Sequence, residues 1–220
     1  TAQFQNIQNL LGQRYNVETV SLSDVVPAKV TALLMGGVAD SLSGDEYQHL
    51  SDYLNRGGNL FLTQNRVRAN LQVQQAFPIQ SNIFDLVDDY GFAISENLVT
   101  DKICGRVNVQ QQMGPIRMNV PMEYPLLPVV RSFNNNEPIV AGLEQIQLVF
   151  ASEITQDSAS MGNVNYVPLL FTSDQSGEMR GQFNLNPDPK QNPFIRLFNQ
   201  SNKVLSARSE KVDENGIMSQ

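Results

Sequence analysis

The sequence has one cysteine, one histidine and no tryptophan in 220 residues. With Cys104 alone, an intramolecular disulfide, a multi-cysteine zinc site and a C-x-x-C redox pair are all excluded. With His49 as the sole imidazole, multi-histidine metal sites are excluded too, and acid–base chemistry is left to carboxylates, one thiol and one ring. Charge is also scarce: Asp, Glu, Lys and Arg make up 17% of the chain, against about 25% in an average soluble domain. Amides fill the gap, with 22 Asn and 21 Gln against 15 basic and 22 acidic residues, so the polar surface is built largely of groups that cannot titrate. Long apolar runs are missing as well. The longest, Val30 to Val38 and Tyr166 to Phe171, are strand-sized, well short of the ~20 residues that cross a bilayer. Thr1 to Gln13 lacks the basic flank and apolar centre of a signal peptide, although a removed signal or anchor stays open. The net charge of −7 and pI near 4.7 oppose attraction to nucleic acid and to an anionic bilayer.

What is present reads as one α/β domain over residues 1–205, followed by a polar tail over 206–220. Phe4, Ile7, Leu10 and Leu11 recur at helical spacing and Gly12 stops them. Tyr15 to Val20 alternates as a strand. Val30 to Met35 is a near-continuous apolar run ending at Gly36-Gly37, as expected of a central strand buried on both faces. Ser43 and Glu46 have capping-box spacing at the start of a helix from about Gly44 to Asn55, with Tyr47, Leu50, Tyr53 and Leu54 as its buried stripe. Gly57-Gly58 terminates it, and Asn59 to Thr63 is the next strand. Gln64 to Gln80 reads as loop, Asn82 to Tyr90 as a short helix stopped by Gly91, and Phe92 to Val99 as a strand.

This alternation of helices and strands with short connections predicts βα units and a mostly parallel sheet. Beyond Asp101 the pattern changes. Val107, Val109 and Gln111, then Ile116, Met118 and Val120, alternate on either side of Met113-Gly114-Pro115, which predicts a β-hairpin excursion over residues 104–122. Ile146 to Phe150 and Tyr166 to Phe171 read as two further strands joined by a polar loop, and Phe194 to Phe198 as a short helix after Pro193. The expected architecture is therefore three-layer α/β with that hairpin added.

No motif announces an enzyme. G-x-x-x-x-G-K-[ST], G-x-G-x-x-G and Gly-x-Ser-x-Gly are absent, so neither phosphate cradling nor a nucleophile elbow is indicated. Cys104 precedes the hairpin rather than standing at a strand-to-helix turn. His49 lies mid-helix, out of phase with the apolar stripe, where an exposed or interfacial ring is expected. Asp45-Glu46 is explained by the helix N-terminus and Asp88-Asp89 by a solvent-facing helix surface. Gly36-Gly37 is open to two readings, a tight turn off a crowded strand end or backbone approach to a ligand. Gln64-Asn65-Arg66 directly follows a strand, at the edge where parallel sheets usually bind ligands. With Glu153 and Asp174, also placed near strand ends, Gly36, Gly37, Gln64, Asn65 and Arg66 form the expected ligand- or partner-binding edge. Neither a metal, a cofactor nor a catalytic set is expected. A small-molecule or glycan-binding domain and a degenerate hydrolase remain as alternatives.

The block Leu33-Leu-Met-Gly-Gly, Leu42-Ser-x-x-Glu46, then Tyr53-Leu-x-x-Gly57-Gly-Asn-Leu-Phe61, resembles the auxiliary components of ABC transporters of the gliding-motility-associated type. Leu86-x-x-x-Tyr90-Gly91, Leu98-Val-x-Asp101, Pro125-Leu-Leu-Pro and Pro138-Ile-Val-x-Gly142-Leu143 follow in the same order, so the likeness spans about residues 15–175. The resemblance implies an extracytoplasmic, periplasmic domain, tethered to the inner membrane by segments outside this sequence, beside a permease and an ATPase. It also implies a flavodoxin-like core similar to class I glutamine amidotransferases. Their Cys–His–Glu set has no matching positions here, Gln64 or Asn65 falling where the nucleophile turn would be sought. The implied role is binding or assembly, without catalysis and without nucleic acid, and homo-oligomerisation is left open.

Overall fold

The computed structural model describes residues 4–113, 116–157, 164–212 and 218–219. The N-terminal third contains one β-α-β unit. A short helix, α1 (Gln5–Leu11), precedes it and ends at Gly12. Strand β1 (Ala32–Gly36), helix α2 (Gly44–Asn55) and strand β2 (Asn59–Thr63) follow, with β1 and β2 parallel from Ala32 opposite Asn59 to Gly36 opposite Thr63. Helix α2 starts as its sequence predicts: the Glu46 N–H donates to Ser43 Oγ at 3.3 Å, and the Ser43 N–H donates to the Glu46 carboxylate at 2.9 Å. Each residue thereby satisfies an N–H that the helix leaves orphaned. At the other end Gly57 takes φ +88°, and the Tyr53 hydroxyl donates to the Asn59 carbonyl at 3.0 Å, fastening α2 to β2. Tyr53 lies where a side chain on Gly58 would have to go. Leu50, Tyr53 and Leu54 are buried in a first core with Ile83, Phe84 and Val26.

After β2 the parallel pattern stops. Strands β3 (Val67–Asn70) and β4 (Gln75–Pro78) make an antiparallel hairpin where a loop was expected. Helix α3 (Ile83–Asp89) leads into β5 (Phe92–Ile94) and β6 (Leu98–Asp101), two strands where the apolar run suggested one. The hairpin excursion is present and longer than expected: β7 (Cys104–Met113) pairs with β8 (Ile116–Val130), while its turn, Gly114-Pro115, lies outside the described residues. Next come β9 (Ser132–Phe133), β10 (Ile146–Gln147), β11 (Ile154–Gln156), β12 (Val164–Phe171) and β13 (Ser176–Met179). Strands β14 (Val204–Val212) and β15 (Met218–Ser219) close the series. Besides β3 with β4, the antiparallel sheets are β5 with β11, β6 with β13, β10-β8-β7, and β15-β14-β12-β9.

The expected three-layer, mostly parallel flavodoxin-like sheet is therefore not the fold. Among the described strands only β1 and β2 run parallel, and the rest form small antiparallel sheets. The reason lies in the connections. A parallel pair needs a crossover of a dozen or more residues, usually helical, and short connections can only turn the chain back on itself. Helix α2 is such a crossover; past α3 the described helical elements are single 3₁₀ turns, at Pro138–Val140 and Pro193–Arg196. The second of these stands where a short helix was expected.

Three local expectations also change. Val30 to Met35 does not yield a central strand, because β1 has β2 as its partner on one edge and leaves Leu34 42% exposed. Tyr15 to Val20 alternates but pairs with no described strand, and Tyr15 is exposed. The polar tail expected from Ser206 begins as strand: through Val212 it belongs to β14, antiparallel to β12. Two further cores lie under the antiparallel sheets, one around Leu98, Tyr124, Leu126, Leu185 and Ile195, the other around Val99, Val130, Leu169, Leu170 and Leu205.

Candidate functional site

The described polar groups converge where the β5–β6 turn, the segment entering β11, strand β13 and the residue before β14 meet. Lys203 is the centre. Its Nζ lies 2.6 Å from Glu153 Oε2 and 3.2 Å from Glu178 Oε2, with side-chain exposures of 7%, 16% and 15%. Asn97, fully buried, joins the two acids. Its Nδ2 donates to Glu178 Oε2 at 2.6 Å and to Glu153 Oε2 at 3.3 Å, and its Oδ1 accepts from the Glu153 backbone N–H at 2.9 Å. On its other oxygen Glu178 accepts from Arg180 Nε at 2.8 Å and from Gln200 Nε2 at 3.3 Å. Burial alone would raise the Glu178 pKa; the hydrogen bonds from Arg180, Asn97 and Gln200 and the charge of Lys203 outweigh it and bring it down to about 2.

The backbone holds these groups in place. Asn202 and Phe150, directly before Lys203 and the Ala151–Glu153 segment, both have left-handed φ, +52° and +53°. That conformation is uncommon outside glycine, and Asn tolerates it best. Asn202 N–H donates to the Ser173 carbonyl at 3.1 Å. Lys203 N–H donates to Thr172 Oγ1 at 2.8 Å and its carbonyl accepts from the Thr172 N–H at 2.9 Å. The ammonium is thus aimed inward by strands that are paired on both sides.

Most of the expected edge joins this network. Ser152 is the link: its Oγ donates to the Asn97 carbonyl at 2.9 Å and accepts from the Arg66 N–H at 3.1 Å, while its own N–H donates to Asn65 Oδ1 at 3.4 Å. Gln64 turns back to Val38, donating to its carbonyl at 2.8 Å and accepting from its N–H at 3.0 Å. Gly37, at φ +70°, donates its N–H to the Thr63 carbonyl at 3.3 Å. A Cβ on Gly36 would run into Thr63 Oγ1. Arg66 lays its guanidinium over the Phe84 ring, 4.2 Å from the centroid. Gly36, Gly37, Gln64, Asn65, Arg66 and Glu153 therefore belong to one continuous edge.

Asp174 stands apart, exposed in the turn between β12 and β13. The buried carboxylate there is Asp101, which accepts from Ser173 N–H and Oγ, each at 2.7 Å, and from the Ile103 N–H at 2.8 Å.

The residues that sequence reasoning missed are Asn97, Glu178 and Lys203. The only local signal for Lys203 is a lone charge directly before the apolar pair Val204-Leu205, and for Glu178 its i, i+2 spacing to Arg180 around Met179. Chemically, the arrangement opposes two carboxylates to an ammonium and a guanidinium, so the formal charges cancel. Lys203 is held in ion pairs rather than presented as a free amine. Cys104, opposite Pro128 at the base of the hairpin, has its thiol pKa pushed up by burial and by Glu123. His49 Nδ1 lies 2.8 Å from the Leu22 carbonyl oxygen, so that nitrogen carries the proton in this contact. Among the described residues, no group of three His, Cys, Asp or Glu side chains is placed to hold a metal ion, and no helix is long and apolar enough to cross a membrane.

Residues 2–214 match the family described as an ABC-type uncharacterized transport system. The chain belongs to this family of ABC-transporter auxiliary components. No curated protein gives a significant match to it. Among solved structures, the chain is similar to the N-terminal domain of mmIFT52, with a TM-score of 0.50 and 14% identity. That match covers 77% of this chain and 65% of the other, so the chain spans about two thirds of its length. At such identity the likeness concerns the fold. Membership in the auxiliary family supports association with transporter components.

Proposed function

We propose that this auxiliary component is a non-catalytic accessory domain of an ABC transport system of the gliding-associated type, working on the extracytoplasmic, periplasmic face. In this reading it is tethered to the inner membrane by segments outside this sequence and binds the permease and ATPase subunits of its transporter. The family match supplies the transport setting, and the order of the motifs from Leu33 to Leu143 supports the finer type. The observation that carries the non-catalytic reading is the mutual neutralisation of Lys203 and Arg180 by Glu153 and Glu178. A general base needs a proton acceptor that is not already committed; here both acids already accept hydrogen bonds from Asn97 and Lys203.

The binding edge in this proposal runs from Gly36 and Gly37 through Gln64, Asn65 and Arg66 to Glu153, with Asp174 on the neighbouring turn. Its test is co-purification of the permease and ATPase from detergent-solubilised membranes with the tagged full-length protein. Arg66→Ala with Asp174→Ala should reduce recovery of both subunits and impair transport while thermal unfolding stays near that of the parent. Unchanged recovery and transport would remove the edge from the interface.

A further inference from the structure

We propose that Lys203 and Asn97 condense into an intramolecular isopeptide bond, with Glu153 carrying the protons, so that the folded chain cross-links itself. The ion-pair network holds every part of that reaction: an amine, an amide and a carboxylate that touches both. Lys203 Nζ lies 2.6 Å from Glu153 Oε2 and 3.2 Å from Glu178 Oε2. Asn97 Nδ2 lies 2.6 Å from Glu178 Oε2 and 3.3 Å from Glu153 Oε2. The same two oxygens therefore bridge the two nitrogens. Attack on an amide needs the amine within about 3–3.5 Å of its carbon, and the shared oxygens hold Lys203 one contact away.

The surroundings fix both reactants. Asn97 is fully buried and the Lys203 side chain is 7% exposed. The Asn97 N–H donates to the Ser95 carbonyl at 2.8 Å, and the Asn97 carbonyl accepts from Ser152 Oγ at 2.9 Å. Lys203 is clamped to Thr172 through both its N–H and its carbonyl. Groups held in this way have already given up the freedom whose loss slows the same exchange between separate molecules.

The step balances without an outside reagent. Lys203 passes one proton along the 2.6 Å contact to Glu153, a transfer favoured out of water because it leaves two uncharged groups. The freed lone pair attacks Asn97 Cγ and the Nζ–Cγ bond forms. Charge collects on Oδ1, where the Glu153 backbone N–H already donates at 2.9 Å, the arrangement that stabilises an oxyanion. Glu153 returns its proton to Nδ2, the Cγ–Nδ2 bond breaks and ammonia leaves. The second Nζ proton follows through the same carboxylate, so the products are one amide and one ammonium ion. Glu178 stays ionised, held so by Arg180, Asn97 and Gln200, and faces the positive nitrogen throughout.

No external substrate is turned over, so the domain stays non-catalytic toward its partners: the donors that occupy both acids are the reacting groups themselves. The bond ties the β5–β6 turn to the start of β14 and closes a loop from residue 97 to residue 203. A cross-link over so long a loop strongly restricts the unfolded chain.

Intact-mass spectrometry of the purified full-length protein should give a mass below that of its sequence by about 17 Da, one ammonia. An asparagine that cyclises on itself loses the same mass, so trypsin mapping decides between them. Residues 69–102 and 197–208 should appear as one linked peptide, uncut after Lys203. Asn97→Ala and Lys203→Arg should each restore the sequence mass and lower Tm by at least about 10 °C. Glu153→Gln, which keeps the shape but takes no proton, should leave the bond unformed, with circular dichroism checking that the fold is kept. A parent protein at its sequence mass, a loss of ammonia confined to an unlinked peptide, or a fully cross-linked Glu153→Gln chain would each overturn the proposal. The first two are read on the parent and need no variant to fold.

Discussion

Lys203 Nζ lies 2.6 Å from Glu153 Oε2, and both side chains are largely withdrawn from water. Five β-elements meet around that contact, because Asn97 comes from the turn between β5 and β6, Glu153 from the entry to β11, Glu178 from β13 and Lys203 from the start of β14. Small antiparallel sheets are held together here by charge as well as by apolar packing.

Removing Lys203 leaves two buried acids converging on one amide. Lys203→Met should cost about 3 kcal/mol in urea unfolding, because breaking a buried pair strands the uncompensated charge. Glu153→Gln in the Lys203→Met background should then cost less than it does alone. Equal costs in both backgrounds would show that the two side chains are not coupled.

The depressed pKa of Glu178 sets a pH dependence with a definite sign. Its ionised form is favoured in the folded state, with a pKa of about 2 against an ordinary value of 4.5. The stabilisation is therefore complete above about pH 5 and is lost as pH falls from 4.5 through 2. It amounts to on the order of 2 kcal/mol, allowing for screening by the water that still reaches the carboxylate. Chemical denaturation at stepped pH should show this fall. Glu178→Gln should start from a lower plateau and lose less stability across the same window.

Gly58 and Gly37 are glycine for different reasons, and alanine substitution separates them. At Gly58 a methyl group would strike the Tyr53 ring and its backbone carbonyl, so Gly58→Ala should cost about 2–3 kcal/mol through overpacking. At Gly37 nothing lies within 4 Å of the added Cβ and only the left-handed φ of +70° resists it, so Gly37→Ala should cost about 1 kcal/mol. Thermal unfolding of the two variants checks the order.

Cys104 should be a slow nucleophile. Burial and the neighbouring Glu123 hold its thiol above the ordinary range, and the thiolate is the reactive form. Alkylation by iodoacetamide near pH 8 should run at least about tenfold slower than for an unfolded control in denaturant. Equal rates would mean that the β7–β8 base is open to solvent.

Much of the local structure was legible in the sequence. Ser43-x-x-Glu46 marked the start of α2, Gly57 its end, Gly91 the stop after α3, and the alternation about Met113-Gly114-Pro115 the β7–β8 hairpin. These features rest on contacts within a few residues, which a sequence displays directly. The same logic misled where a partner strand was needed: Tyr15 to Val20 alternates like a strand without pairing, and Val30 to Met35 reads as central although β1 lies against one neighbour.

The candidate site was half legible. Gln64-Asn65-Arg66 and Glu153 were expected because they follow strand-like runs, and the fold brings Asn65 and Arg66 to Ser152, the neighbour of Glu153. Lys203, Glu178 and Asn97 were not found, since they lie 25 or more residues from one another in sequence and none sits in a motif. Their ion pairs exist only once β13 and β14 have been folded against the β5–β6 turn. By itself the sequence determined the caps of α2, the hairpin and the exclusion of intramolecular disulfide and multi-histidine chemistry, because those follow from residue identity and short-range spacing. Only the tertiary structure decided that the sheets are small and antiparallel and that three distant charges meet, because strand partners and buried ion pairs depend on long-range contacts that neighbouring residues do not specify.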